Sequence, residues 1–138
     1  MSARTIAIGD IHGHLAALAA IIAAIELQPD DTLVLLGDYV DRGPDSKGVL
    51  EQVIQLSERF HVVALKGNHE EMMLGAREGR DNLRFWMGCG GDAALQSYGQ
   101  AKDVSLIPRE HYRFLESLPL YHESESHFFS NSRPARKP

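Results

Sequence analysis

The sequence repeats one local pattern three times in its N-terminal half: a short apolar run followed by glycine and a carboxylate or amide residue. The runs occupy residues 5–8, 32–36 and 61–65, and the pairs after them are Gly9-Asp10, Gly37-Asp38 and Gly67-Asn68. Short runs of β-branched and aliphatic residues bounded by turn residues are typical of buried strands. The pattern therefore predicts three strands, each with a polar cluster at its carboxyl end.

Two helical segments separate these strands, and they decide the fold class. Residues 14–26 are rich in Ala, Leu and Ile, and Pro29 with two following aspartates ends that segment. A second helix is predicted from Asp45 or Ser46 to about Arg59, because its apolar side chains recur at helical spacing. Strands that alternate with helices imply right-handed crossovers and a mainly parallel sheet, so the sequence predicts an α/β fold. Since ligand sites in such sheets lie beyond the carboxyl ends of the strands, we expect the three polar clusters to converge.

The second half of the chain shows weaker periodicity after Glu70. Helices are predicted over residues 71–78, 83–87, 92–98 and 108–118, with a glycine-rich break at 88–91 and short strands at 120–121 and 127–129. We interpret residues 1–129 as one domain and residues 130–138 as a solvated tail, because the last segment is polar and basic. With 138 residues in total, the chain is long enough to bury one hydrophobic core.

Composition narrows the classes of function. The net charge of −5 disfavours a nucleic-acid partner, which would require a basic surface. A single cysteine, Cys89, excludes an internal disulfide and is consistent with a reducing compartment. The apolar segment Leu15–Ile25 is too short to cross a bilayer, and the N-terminus lacks the features of a secretory signal. We therefore predict a cytoplasmic protein without a nucleic-acid or membrane partner.

The polar clusters carry residue types that bind cations. Asp10 and His12, two residues apart on the predicted turn, offer an oxygen and a nitrogen ligand, a mixture that suits Zn, Mn or Fe better than Ca or Mg. Asp38 occupies the same position after the second strand, and its two carboxylate oxygens could bridge two ions. In the third cluster, Asn68 offers a neutral carbonyl oxygen.

Three further side chains beside these ligands suit phosphate chemistry. Arg42 carries a planar guanidinium that can contact two phosphate oxygens, and His69 titrates near neutral pH and could act as a general acid. A hydrogen bond from His69 to Asp41 would fix one tautomer and favour the protonated ring. Each cluster alone has a structural alternative: a turn that leads into a helix, a surface ion pair, or a polar helix cap. Their repetition after three strands instead favours one dinuclear phosphoesterase site.

The segments GDIHGH, GDYVDRG and GNHE resemble the three N-terminal motifs of calcineurin-like metallophosphoesterases, in particular those of the phosphoprotein phosphatase branch. The resemblance is strong over residues 5–70 and looser over residues 71–122. It implies a metallophosphoesterase-type sheet with flanking helices, which is the N-terminal half of a four-layer α/β/β/α fold. It also implies two bound metal ions, drawn from Mn, Fe and Zn.

The resemblance also implies a role for each site residue. The implied metal ligands are Asp10 and His12 for the first ion, Asp38 for both ions, and Asn68 for the second ion. Asn68 would also lie at the substrate phosphate, together with Arg42 as a phosphate clamp. His69 resembles the proton donor to the leaving alcohol, with Asp41 as its partner. The implied reaction is direct attack on phosphorus by a metal-activated water, without a phosphoenzyme.

The details of the motifs favour a Ser/Thr protein phosphatase of bacterial type. Symmetrical dinucleoside tetraphosphate hydrolases resemble this pattern but typically carry Ala at the position of Asp41 and Asp at that of Glu70. The segment WMGCGGDAALQSYG is similar to segments of bacterial members. The expected substrate is a phosphorylated protein or a small phosphoester. A dinucleoside polyphosphate hydrolase and a catalytically silent fragment are the alternatives.

The resemblance ends before the site is complete. Members of the family complete the second ion's shell with two histidines from later motifs, whereas no histidine follows His127 in this chain. We therefore expect a C-terminally truncated chain with impaired activity, and we interpret His122 and His127 as surface or strand-edge residues. The missing half would also leave a sheet edge uncovered, which predicts self-association through that edge.

Overall fold

The computed structural model describes residues 3–99 and 103–131. Its strands and α-helices follow in the order β1 (Thr5–Ile8), α1 (Leu15–Ile25), β2 (Thr32–Leu35), α2 (Ser46–Arg59), β3 (His61–Ala64), α3 (Asn68–Gly75), α4 (Arg80–Trp86), α5 (Asp92–Tyr98), α6 (Arg109–Ser117), β4 (Tyr121–Glu123) and β5 (Phe128–Ser130). A 3₁₀ turn, Ala76–Glu78, extends α3, a π-helical turn, Met87–Gly91, joins α4 to α5, and a second 3₁₀ turn, Val104–Leu106, precedes α6.

The strands β1, β2 and β3 form one parallel sheet in that order. Thr5, Thr32 and His61 lie side by side in the hydrogen-bond register, so the three strands end at the same level. The loops that follow them therefore leave from one edge of the sheet. β4 and β5 form a separate antiparallel hairpin in which Tyr121 pairs with Ser130. The predicted α/β class, with a parallel sheet and flanking helices, is confirmed.

The hydrophobic core is centred on β2, the middle strand of the sheet. Leu33 and Leu35 are completely buried, and they belong to the same core as the apolar stripe of α2. That stripe consists of Val49, Leu50, Val53 and Leu56. The predicted start of α2 is correct: Asp45 is its N-cap, and the carboxylate accepts a 2.8 Å hydrogen bond from the N–H of Gly48.

Several local features differ from the sequence-based expectation. α3 begins at Asn68 rather than at residue 71, because the side chain of Glu70 accepts a hydrogen bond from the N–H of Gly67 and caps the helix start. The glycines at 88–91 kink the chain instead of breaking it, since Gly90 adopts a φ of 107° inside the π-helical turn. β5 extends to Ser130, one residue past the predicted domain boundary. Residues 132–138 of the predicted tail lie outside the described residues.

One side of the molecule exposes apolar surface. Leu18 is the buried residue of α1, whereas Ile21 is 42% exposed, although the helix consists entirely of Ala, Leu and Ile. Within residues 3–99 and 103–131, β1 pairs with β2 only, so its other edge has no strand partner. Self-association through this edge stays a prediction. Over the same residues, no helix combines the length and the hydropathy that a membrane span requires.

An ion pair stabilises the entry to β2, and it carries a prediction. Asp31, 3% exposed, accepts hydrogen bonds from Arg4 at 2.6 Å and from the N–H of Gln28 at 2.9 Å. The hydrogen bond from Arg4 is the main reason that the pKa of Asp31 is lowered to about 2 from an ordinary value of 3.8. The ionised carboxylate therefore stabilises the fold fully above about pH 4, and this contribution disappears as the pH falls towards about 2.

We predict that Asp31→Asn lowers the urea midpoint of unfolding at neutral pH and that the difference from the parent shrinks in acid. The two proteins should become equally stable as the pH approaches about 2, because the parent carboxylate is then protonated as well. Unfolding curves across the acid range test this expectation. The matched control is Asp30→Asn, which changes the exposed neighbouring carboxylate. A difference that is the same at every pH would contradict the prediction.

Candidate metal centre

Three loops meet at the carboxyl ends of β1, β2 and β3, as the topology predicts. The N–H groups of Ile11 and His12 donate to the carbonyl oxygen of Asp38 at 3.0 and 2.8 Å. The N–H of Gly13 donates to the carbonyl oxygen of Tyr39 at 2.8 Å. The first and second loops are therefore joined through their backbones, independently of any side chain.

The buried carboxylate of Glu70 joins the second loop to the third. Glu70 is completely buried in the first turn of α3. Its two oxygens accept hydrogen bonds from the N–H groups of Asp38 (2.6 Å), Tyr39 (2.9 Å), Val40 (3.4 Å) and Gly67 (2.9 Å). Burial raises the pKa of Glu70 to about 7, and the hydrogen bonds from the backbone oppose that shift. The sequence analysis uses Glu70 only to distinguish branches of a family, and it does not predict that this carboxylate joins two loops.

The loops hold several site residues in a left-handed backbone conformation. His12, Asp38, Asp41 and Arg42 have φ values of 42°, 56°, 79° and 71°. Such conformations cost about 1–3 kcal/mol for a residue with a side chain, and they persist where the surroundings enforce them. Gly43 shows how tight these surroundings are, because a Cβ at this position would collide with the carbonyl oxygen of His12.

Cation-binding atoms converge at the centre of the three loops. One donor atom each from His12, Asp38 and His69 lies within 4.8 Å of the others. Nδ1 of His12 donates to the carbonyl oxygen of Val40 at 2.9 Å, which leaves Nε2 unprotonated in the neutral ring and free to bind a metal. Asp10 flanks this nitrogen, with its Oδ2 at 3.8 Å and its side chain 57% exposed. The donor set of carboxylate oxygen and imidazole nitrogen fits a Mn, Fe or Zn ion.

Asn68 lies at the start of the third loop's helix. It is the first residue of α3, and its side chain is exposed. The groove that it lines also contains Met72 and Phe85. The structure thus brings Asp10, His12 and Asp38 close together, and the backbone of Asn68 is joined to Asp38 through Asn131.

Asp41 is buried between two donors. Its Oδ2 lies 2.6 Å from Nδ1 of His69, and both of its oxygens lie 2.9 Å from Nε1 of Trp86. Burial raises the pKa of Asp41 to about 7, while the hydrogen bond from Trp86 opposes the shift. Burial also lowers the pKa of His69, and the charge of Asp38 acts in the opposite direction. The contact between Asp41 and His69 is the expected one, but burial disfavours the protonated ring that the sequence analysis anticipated.

Trp86 and the π-helical turn form hydrogen bonds with the second loop. Trp86 is completely buried, as expected of a core residue, yet its indole N–H is also a donor to the site. The N–H of Arg42 donates to the carbonyl oxygen of Gly90 at 3.0 Å. This bond holds the backbone of Arg42, while its guanidinium-bearing side chain remains exposed next to Asp41. An exposed cation beside a cluster of side chains that could hold a metal ion is suited to bind an anion.

The residue after β5 also reaches the site, which the sequence analysis missed. Nδ2 of Asn131 donates to Oδ2 of Asp38 at 3.1 Å, and Oδ1 of Asn131 accepts from the N–H of Asn68 at 3.4 Å. The signal was present in the sequence, because Asn131 is a polar residue directly after a short apolar strand. It was assigned to the tail instead.

Comparisons with known proteins agree with this geometry. The model of the calcineurin-like phosphoesterase family matches residues 3–132. Serine/threonine-protein phosphatase 1 of Salmonella typhimurium is 40% identical over 86 residues, which are 62% of this chain and 38% of that protein. The symmetrical bis(5'-nucleosyl)-tetraphosphatase of Pectobacterium carotovorum is 42% identical over 76 residues, which are 54% of this chain and 26% of that protein. The resemblance to calcineurin-like metallophosphoesterases is confirmed, and the similar proteins bear the names of both a protein phosphatase and a dinucleoside tetraphosphatase.

Solved structures share the fold. A candidate diadenosine tetraphosphatase superposes with a TM-score of 0.67 and 26% sequence identity, over 95% of this chain and 53% of that one. The chain therefore spans about half the length, or less, of the relatives that it matches.

We predict that Glu70→Gln destabilises the protein by about 1–3 kcal/mol, because the amide NH₂ would face at least one of the backbone donors that the carboxylate now accepts from. Urea unfolding measures this loss. Glu71→Gln is the control, since it makes the same chemical change on the exposed side of the same helical turn. Equal midpoints for Glu70→Gln and the parent would contradict the role assigned to this carboxylate.

Proposed function

The chain belongs to the calcineurin-like phosphoesterase family, and on that basis we propose that it hydrolyses phosphoesters at a site holding two divalent cations. The observation that carries the proposal is the convergence of donor atoms from His12, Asp38 and His69 within 4.8 Å. The exposed Arg42 lies at the same loop cluster, which supplies the positive charge that a phosphate substrate requires. A cytoplasmic location is part of the same proposal.

Each cation is assigned its own set of residues. Asp10 and His12 would hold the first ion, Asp38 would contribute to both, and Asn68 would hold the second. When bound, the ions activate a water molecule and neutralise charge on the phosphoryl oxygens. The hydrogen bond from His12 to Val40 fixes the ring so that Nε2 faces outward as a ligand.

Arg42 and His69 act on the substrate. Arg42 binds the phosphoryl oxygens through its guanidinium, together with Asn68. Nδ1 of His69 is occupied by Asp41 at 2.6 Å, so Nε2 remains for the oxygen of the leaving group. Asp41 holds the ring in this orientation, and Trp86 holds Asp41 through its indole N–H. His69 therefore protonates the leaving alkoxide from Nε2 as the bond to phosphorus breaks, and for this step the ring carries a proton on both nitrogens. The carboxylate of Asp41 favours that form against the effect of burial.

The substrate class we favour is a phosphorylated protein on Ser or Thr. Asp41 and Glu70 are the residues that typify the protein phosphatase branch. Asp41 forms a buried pair with His69, and Glu70 accepts a hydrogen bond from the N–H of Asp38. A dinucleoside tetraphosphate is the second candidate, because similar proteins bear that name as well. Both substrates require the same cation site and differ in the group attached to phosphorus.

We predict that Asp38→Asn abolishes Mn²⁺-dependent hydrolysis of a generic aryl phosphate while the fold is retained, since a neutral amide cannot serve two cations. Turnover and metal content are measured on the same purified sample, with Asp30→Asn as a surface control.

The substrate class is tested on the parent protein, by comparing its turnover of a phosphopeptide with its turnover of a dinucleoside tetraphosphate. Equal activity of Asp38→Asn and the parent would refute the proposal. A parent without bound ions or turnover would indicate a silent fragment.

We also predict that His69→Ala slows hydrolysis by about 10²–10⁴-fold for alkyl phosphates and much less for aryl phosphates. An alkoxide is a poor leaving group that needs a proton, whereas a nitrophenolate leaves without one. The dependence of rate on the pKa of the leaving group measures this difference. Asp41→Asn should show a weaker change of the same kind. A uniform loss across all leaving groups would argue that His69 acts through binding instead of proton donation.

A further inference from the structure

Asn131 occupies a position that a solvated tail residue would not hold. Its carboxamide bridges two of the three loops, donating to Oδ2 of Asp38 at 3.1 Å and accepting from the N–H of Asn68 at 3.4 Å. The side chain is half-buried and packs against Gly37, where a Cβ would lie 3.2 Å from Nδ2. The amide therefore sits directly over the carboxylate that we assign to both cations.

The strand before Asn131 fixes this position. Ser130 pairs with Tyr121 in the β4–β5 hairpin. The chain entering that hairpin is attached to the main sheet, because the N–H of Lys66 donates to the carbonyl oxygen of Pro119 at 2.8 Å. The hydrogen bonds of the hairpin and of Pro119 therefore fix the position of Asn131 at the site.

The two oxygens of Asp38 are used differently. Oδ1 accepts the backbone N–H of His69 at 3.1 Å, which joins it to the third loop. Oδ2 is the oxygen that Asn131 contacts. A bare carboxylate attracts the NH₂ end of an amide. A cation at the same place attracts the oxygen end, and a half-turn of the amide exchanges the two ends at the cost of the 3.4 Å bond to Asn68.

We propose that Asn131 binds the second cation through Oδ1, and that Asp38, Asn68 and Asn131 form an all-oxygen donor set. The proposal rests on the function proposed above, since it takes the two-cation site as given. Neutral and anionic oxygens are preferred by Mg²⁺ and Mn²⁺, whereas imidazole nitrogen favours Zn²⁺. The first site, with His12, accepts Zn²⁺ or Mn²⁺, and the second site selects the harder ion.

The test is Mn²⁺ and Zn²⁺ binding by isothermal titration, with the electron paramagnetic resonance of bound Mn²⁺ as a second readout. The parent protein should bind two Mn²⁺ ions. Asn131→Ala should weaken one of them by about 10- to 100-fold and leave the other unchanged. Asn131→Asp should bind that ion more tightly than the parent, and Asn131→His should shift its preference towards Zn²⁺. Asn82→Ala, at an exposed asparagine in the groove beside Asn68, is the control.

The outcomes separate this inference from the proposed function. Two Mn²⁺ ions with unchanged affinities in Asn131→Ala and Asn131→Asp would overturn the role of Asn131 and leave the two-cation site intact. A parent protein that binds no Mn²⁺ would overturn both. Thermal unfolding without metal checks the fold of each variant, and Asn131→Asp keeps the test decisive if Asn131→Ala fails to fold.

Discussion

The arrangement of the site depends on one buried carboxylate that accepts backbone hydrogen bonds from two loops. Glu70 accepts hydrogen bonds from the N–H groups of Asp38, Tyr39 and Gly67, and leaving a buried donor without its acceptor costs about 1–3 kcal/mol. Its place in the first turn of α3 favours negative charge, since the helix dipole is positive there. The backbone of Asp38 in turn receives the first loop through Ile11. A displaced Glu70 would therefore disturb all three loops together.

Sequence patterns were sufficient to predict the sheet and the convergence of its loops, because apolar runs and turn residues report strands directly. They also predicted that Asp10, His12 and Asp38 would lie close together. The role of Glu70 was not predictable in this way, since its partners are backbone N–H groups and any sequence supplies those. Trp86 is a core residue, and a pattern of hydrophobicity does not reveal that its indole N–H faces Asp41. Asn131 was missed because its strand is only three residues long.

Residues after the three N-terminal motifs also contact the site. Trp86 ends α4, and its N–H contacts both oxygens of Asp41 at 2.9 Å. The π-helical turn that follows brings Gly90 against the backbone of Arg42. A glycine is needed at that point, since a Cβ would contact the Arg42 side chain and the φ of 107° disfavours any other residue. The glycine-rich segment therefore supports the backbone of the second loop.

The left-handed backbone of the second loop also affects which substitutions selection would favour there. At Asp41 and Arg42 the φ values of 79° and 71° are ones that glycine adopts freely. Selection for stability alone would therefore favour glycine at Arg42, whose side chain is exposed, whereas glycine at Asp41 would leave the buried indole N–H of Trp86 without its acceptor. Under the proposed function, arginine at position 42 costs backbone strain and retains the charge that binds phosphate. A lineage without that function would lose the Arg42 side chain before that of Asp41.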